Sequence, residues 1–164
     1  MALVTFIPGS TQTPGRMNLF KFKKFEVLID YAHNTAGFHA IGKFLEKVDA
    51  KPKIGVIAGV GDRRDEDIVS LGALAAKMFD EIIIRQDRNL RNRTEQQIID
   101  LMVQGINEVN PNMKYTIFRK ETEAIDFAMK TAVKDSFVVI CSDVVPDALE
   151  QIQKYKEEED KFEL

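Results

Sequence analysis

The chain has 164 residues, 45% of them hydrophobic and 30% charged, with a formal net charge of −3. That length leaves room for one domain with a core of its own, and the charge balance excludes a general attraction to nucleic acid or to anionic membrane surfaces. A lone cysteine, Cys141, excludes an internal disulfide, and no run approaches the ~18 apolar residues of a membrane span, so a cytoplasmic protein without nucleic-acid or membrane partners is expected.

Residues 1–15 contain Pro8, Gly9, Ser10, Pro14 and Gly15, the composition of a linker-like approach segment, and residues 16–164 are expected to form the domain. Arg16 to Phe22 alternates in character, Lys23-Lys24 can turn the chain, and Phe25 to Asp30 follows as an apolar run. This pattern predicts a hairpin that sets an antiparallel strand beside the first parallel one. Further strands are expected at 53–58, 81–85, 114–119 and 137–141, and helices at 35–48, 66–79, 95–109, 121–133 and 146–156. Short β-branched runs such as Ile82-Ile83-Ile84 and Val138-Val139-Ile140 suit strands covered on both faces. The alternation implies an α/β fold: a three-layer, Rossmann-like, mostly parallel sheet of about six strands with helices on both faces.

In such a sheet ligands bind at the carboxyl ends of the strands and the amino ends of the following helices. The segment Asp30-Tyr31-Ala32-His33-Asn34-Thr35 places a carboxylate, an imidazole, a carboxamide and a hydroxyl at one such junction. The loop Gly59-Val60-Gly61-Asp62-Arg63-Arg64-Asp65 has two glycines for a tight turn, yet lacks the third glycine of a dinucleotide fingerprint and any following Gly-Lys-Ser/Thr. A plain reading has Asp65 or Asp67 capping the next helix, with Arg63 and Arg64 in solvent. Arg85, Asp87, Arg88, Arg91 and Arg93 gather guanidinium groups that either hold an anionic substrate or form a solvated basic loop.

His33 and His39 lie six residues apart, about 1.7 helical turns, so they do not share a helix face well and no metal site is assigned to them. Ser142-Asp143 is expected to cap the last helix, with Pro146 in its first turn. Without a Gly-x-Ser-x-Gly elbow there is no serine hydrolase signature, and Cys141, at the end of an apolar run, is expected to be buried rather than reactive.

Three stretches together, Thr13-Pro14-Gly15-Arg16-Met17-Asn18-Leu19-Phe20, Asp30-Tyr31-Ala32-His33-Asn34 and Gly61-Asp62-Arg63-Arg64-Asp65-Glu66-Asp67, resemble the C-terminal, glutamate ligase domain of the Mur ligase family. The last of these and Asn89-Leu90-Arg91-Asn92-Arg93 draw the likeness toward the cyanophycin synthetase branch. The resemblance implies an ATP-dependent amide-bond ligase, using ATP and Mg2+, in which a substrate carboxylate is phosphorylated and an incoming amino acid, here arginine, attacks the acyl phosphate. It also implies residue roles: His33 and Asn34 at the catalytic junction, Arg16 and Asp30 on the nucleotide, and Arg63, Arg64, Asp65, Asp87 and Arg91 around the substrate. Thr35 stands where that family has proline, and either residue can begin a helix. The chain lacks the Gly-x-x-x-x-Gly-Lys-Ser/Thr needed to grip a triphosphate. It is therefore expected to be one domain of a larger enzyme, partnered by a central ATP-binding domain, and alone to be inactive and to hold no cofactor tightly. The alternative is a stand-alone, non-catalytic module that binds a small anionic metabolite or mediates assembly. A free-standing dehydrogenase is disfavoured by the incomplete glycine fingerprint.

Overall fold

The computed structural model describes residues 17–59, 63–86, 90–142 and 144–162. Its elements run β1 (Asn18–Lys21), β2 (Glu26–Asp30), α1 (Thr35–Glu46), β3 (Lys53–Ile57), α2 (Asp65–Met78), β4 (Glu81–Arg85), α3 (Glu95–Val109), β5 (Lys114–Phe118), α4 (Glu121–Thr131), β6 (Phe137–Cys141) and α5 (Val145–Lys161). The six strands form one sheet in the order β1-β2-β6-β3-β4-β5. Only the β1–β2 pair is antiparallel, with Asn18 opposite Ile29 and Lys21 opposite Glu26. The expected α/β sheet with an N-terminal hairpin is thus the observed one.

Strand alternation sends successive side chains to opposite faces, and each face has its own helical cover. Leu28, Ile57, Ile82, Ile84 and Val139 pack with Phe38, Ile41, Ile68, Leu71, Ile98 and Met102 from α1, α2 and α3. Val27, Ile29, Val56, Ile83, Val138 and Ile140 pack with Ala124, Ile125, Ala128, Ala148 and Ile152 from α4 and α5. All five residues of β6 are buried, as a central strand covered on both sides requires. The edge strand β5 is more open, with Tyr115 and Ile117 exposed.

Helices α2 and α3 approach closely because glycine lies on both. A Cβ on Gly72 would strike the carbonyl oxygen of Met102, and one on Gly105 would strike that of Val69. The last helix runs beyond the expected 146–156. Ion pairs within it join Lys154 to Glu150 at 3.5 Å and Lys156 to Glu159 and Asp160 at 3.4 and 3.6 Å. The Tyr155 hydroxyl also donates to Asp126 Oδ1 of α4 at 2.6 Å. Burial and that carboxylate raise the Tyr155 pKa well above its ordinary value, so the hydroxyl keeps the proton it donates.

The order of the strands positions the site. Strand β6 lies between β2 and β3, and the helix it feeds belongs to the opposite face from α1 and α2. A gap is left between the loop after β2 and the loop after β3, which is where an open parallel sheet receives a ligand.

Candidate functional site

The cleft is built from the junction of β2 with α1. Asn34 is the N-cap of α1: its backbone is extended, and Oδ1 accepts the amide hydrogen of Gly37 at 2.8 Å. Its oxygen is thereby committed to the helix, which leaves the Nδ2 amide as the group able to meet a ligand. His33 Nδ1 lies 3.0 Å from the carbonyl oxygen of Tyr31. A carbonyl only accepts, so Nδ1 carries the hydrogen and Nε2 is the lone-pair nitrogen of the neutral ring. The ring also leans on Tyr31, with centroids 4.7 Å apart.

Across the gap, Arg63, Asp67 and Leu71 join His33, Asn34 and Thr35 in lining a cleft of about 160 Å³. His33, Asn34 and Arg63, read separately from two sequence motifs, are therefore brought together. Asp30 stands at the end of β2, and its Oδ1 accepts the Met17 amide at 2.9 Å, a contact that sequence reasoning did not foresee. Arg16 and Asp87, both expected at the site, lie outside the described residues, as do Asp62, Arg88, Asn89 and Asp143.

The remaining acidic and basic groups divide differently from the simple expectations. Helix α2 begins at Asp65 with Arg64 as N-cap and no side-chain cap bond, so neither Asp65 nor Asp67 caps it. Instead Asp65, Glu66 and Asp67 put three carboxylates in the first turn, where the helix dipole favours negative charge. Arg64 is exposed and pairs with Glu66 at 2.8 Å and with Asp67 at 3.1 Å. The hydrogen bond to Arg64 lowers the Asp67 pKa, and its Coulombic attraction adds to this.

The described members of the arginine cluster, Arg85, Arg91 and Arg93, stand in three different surroundings. Arg91 is exposed in a turn with φ of 45°, followed by Asn92 with φ of 68°. Arg93 turns back to Asp65 at 2.6 Å and to the Arg63 carbonyl oxygen at 2.7 Å. Arg85 is buried: Nε pairs with Glu121 at 3.1 Å, and Nη2 donates to the Cys141 carbonyl oxygen at 2.9 Å. Ser142 Oγ completes this network by donating to Glu121 Oε2 at 3.0 Å and accepting from the Val144 amide at 3.2 Å. The ends of β4 and β6 and the start of α4 are thus tied together behind the cleft. The expected capping of α5 by Ser142 is not observed: Val144 is the N-cap, without a side-chain cap bond, and Ser142 Oγ accepts the amide of Val144 itself. Cys141 is buried, and desolvation, with Asp30 nearby, pushes its thiol up to about 12, so it is not a nucleophile.

Comparison with known proteins identifies the family and the fold. The model of the family described as Mur ligase, glutamate ligase domain, matches residues 15–144. The chain is 48% identical to cyanophycin synthetase of Geminocystis herdmanii and 40% identical to that of Synechocystis, over 92% and 93% of its own length. It spans 17% of the length of each of those proteins. It is 35% identical to the UDP-N-acetylmuramoyl-L-alanyl-D-glutamate–2,6-diaminopimelate ligase of Buchnera aphidicola, over 77% of this chain and 24% of that protein. A solved ligase of the same name superposes with TM-score 0.68 at 26% identity, over 78% of this chain and 26% of that one. E. coli FolC in complex with ADP shares the fold, with TM-score 0.68 at 20% identity, over 90% of this chain and 33% of that one.

Proposed function

The chain belongs to the Mur ligase family, as its glutamate ligase domain, and from that membership we propose that it is the C-terminal lobe of an ATP-dependent amide-bond ligase of the cyanophycin synthetase kind. The observation that carries this reading is the cleft at the carboxyl edge of the sheet, where His33 and Asn34 face Arg63 across the gap beside β6. The lobe forms half of a site, and a companion ATP-binding domain forms the other half. Among the described residues no three of His, Cys, Asp and Glu converge as a metal-holding group. The Mg2+ that accompanies ATP travels with the triphosphate, and we assign it to the companion domain that grips that group.

In the proposed reaction the γ-phosphoryl group of ATP passes to a substrate carboxylate, and the amine of the incoming amino acid displaces phosphate from the acyl phosphate. The products are an amide, ADP, phosphate and a proton. The work of this lobe is positioning and charge stabilisation, which dominate catalysis of phosphoryl transfer. The Arg63 guanidinium supplies fixed donors to an anionic oxygen. Asn34 Nδ2 donates to a phosphate oxygen and His33 Nε2 accepts from the incoming amine at the domain junction. Asp30 acts on the nucleotide side by anchoring Met17, the neighbour in sequence of Arg16. Arg16 contacts the nucleotide, and Asp87 and Arg91 complete the pocket for the amino acid.

Arginine is the proposed incoming amino acid, an assignment supported by the 48% identity to a cyanophycin synthetase. Asp65 and Arg64 were also expected around the substrate, but their ion pairs to Arg93 and to Glu66 and Asp67 suit them better to shaping the loop. The test is ADP release with and without arginine, by the ligase that contains this domain and by an Arg63→Ala variant. Arginine-dependent release that the variant loses supports the assignment. Release that ignores arginine or survives the variant overturns it.

A further inference from the structure

The Arg93 guanidinium reaches two partners at once. Nη1 meets Asp65 Oδ1 at 2.6 Å, and Nη2 donates to the backbone oxygen of Arg63 at 2.7 Å. The first partner opens α2, and the second is the peptide oxygen of the residue whose side chain lines the cleft with His33 and Asn34. The side chain of Arg93 is 22% exposed, whereas that of Asp65 is 71% exposed. A Coulombic pair to so open a carboxylate contributes little stability by itself. What the pair supplies is direction: Asp65 fixes the plane of the guanidinium so that its other nitrogen points at the Arg63 peptide.

The base of the Arg93 side chain is held as firmly as its tip. Its amide donates to Leu90 O at 2.9 Å, closing the tight turn through Arg91 and Asn92. The next residue, Thr94, is the N-cap of α3, with a full capping box to Gln97. A rigid turn, a capped helix and a planar two-point donor together join the loop after β4 to the loop after β3. Lysine could keep a single contact but cannot present two parallel donors in fixed geometry.

We propose that Arg93 is a positioning residue: by bridging Asp65 and the Arg63 carbonyl it locks the two loops together and sets how the Arg63 side chain enters the cleft beside His33 and Asn34. The proposal deepens the reading of that cleft as the place where the incoming amino acid is held, and rests on it. Displacing Arg63 by an ångström should then weaken use of the amino acid while sparing ATP, because Arg63, the residue the clamp positions, is assigned to the amino-acid side of the site.

Two measurements test this. In steady-state assays of the ligase that contains this domain, Arg93→Ala is expected to raise the KM for the amino acid by about tenfold or more and leave the KM for ATP unchanged. Arg93→Lys retains most of that defect, and Asp65→Ala combined with Arg93→Ala is no worse than Arg93→Ala alone. Equal rises in both KM values, full rescue by lysine, or additive effects of the two substitutions overturn the proposal. In the 164-residue chain, hydrogen exchange is expected to quicken over residues 63–68 in Arg93→Ala, with the start of α1 unaffected. Unchanged exchange in both places removes the clamp itself. If the wild-type ligase ignores the amino acid, the reading of the cleft fails, and the exchange comparison still decides whether the clamp exists.

Discussion

The amide of Met17 donates to Asp30 Oδ1 at 2.9 Å, so the carboxylate that ends β2 holds the residue that precedes β1. Met17 has φ of 49°, a left-handed conformation that a non-glycine residue adopts only when its surroundings enforce it. Asp30 is therefore an anchor for the entry of the chain into the domain as well as a group at the ligand edge.

Replacing Asp30 separates these roles. Asp30→Ala leaves the part-buried Met17 amide without its acceptor and is expected to cost about 1–3 kcal/mol. Asp30→Asn keeps an acceptor oxygen and should cost less. Urea denaturation of the three proteins gives the comparison directly.

The Arg85–Glu121 pair, with side chains only 5% and 15% exposed, is a desolvated contact behind the cleft. Removing one partner strands a charge, so Arg85→Ala or Glu121→Ala is expected to lose roughly 3–5 kcal/mol. The double substitution should fall well short of the sum of the two. A double-mutant cycle in denaturant checks both statements.

This pair also shows where sequence pattern stops being informative. The helix and strand order was legible because apolar period reports local structure, and β2 through α4 lie close to where that period puts them. Asp30-Tyr31-Ala32-His33-Asn34 was legible as a ligand edge because polar groups follow a buried run. Arg85 and Arg93 looked like members of one basic loop, since spacing along the chain cannot reveal partners on Glu121 or Asp65. The convergence of Arg63 with His33 likewise depends on β6 entering between β2 and β3, a long-range pairing with no local signature. Helix α5 outran its expected end because its charges pair within the helix and Tyr155 docks on α4.

Cys141 makes stability depend on alkaline pH. Its pKa is raised in the folded protein to about 12, from 9.0 for the free thiol. The associated stability is fully present below pH 9.0 and is lost as pH rises toward about 12, because only the unfolded chain ionises in that window. Alkylation at pH 8 is expected to be negligible in the native protein and rapid after unfolding. Fast labelling of the native thiol would contradict the burial.

The close approach of α2 and α3 sets a steric limit. Gly105→Ala must push its methyl into the Val69 carbonyl, and Gly72→Ala into that of Met102. Each is expected to destabilise by about 1–3 kcal/mol through overpacking, despite alanine's better helix propensity. Gly42→Ala, whose methyl meets only the Met78 side chain at 3.5 Å, should be neutral or stabilising. Thermal melts of the three variants separate the two cases.

The division of the site between two domains is tested most directly by ADP release from ATP, measured for residues 1–164 alone and again with the companion ATP-binding domain supplied in trans. No release is expected from the chain alone, and arginine-dependent release is expected from the combination. Robust ATP hydrolysis by the 164-residue chain on its own would contradict the assignment of half a site to this lobe.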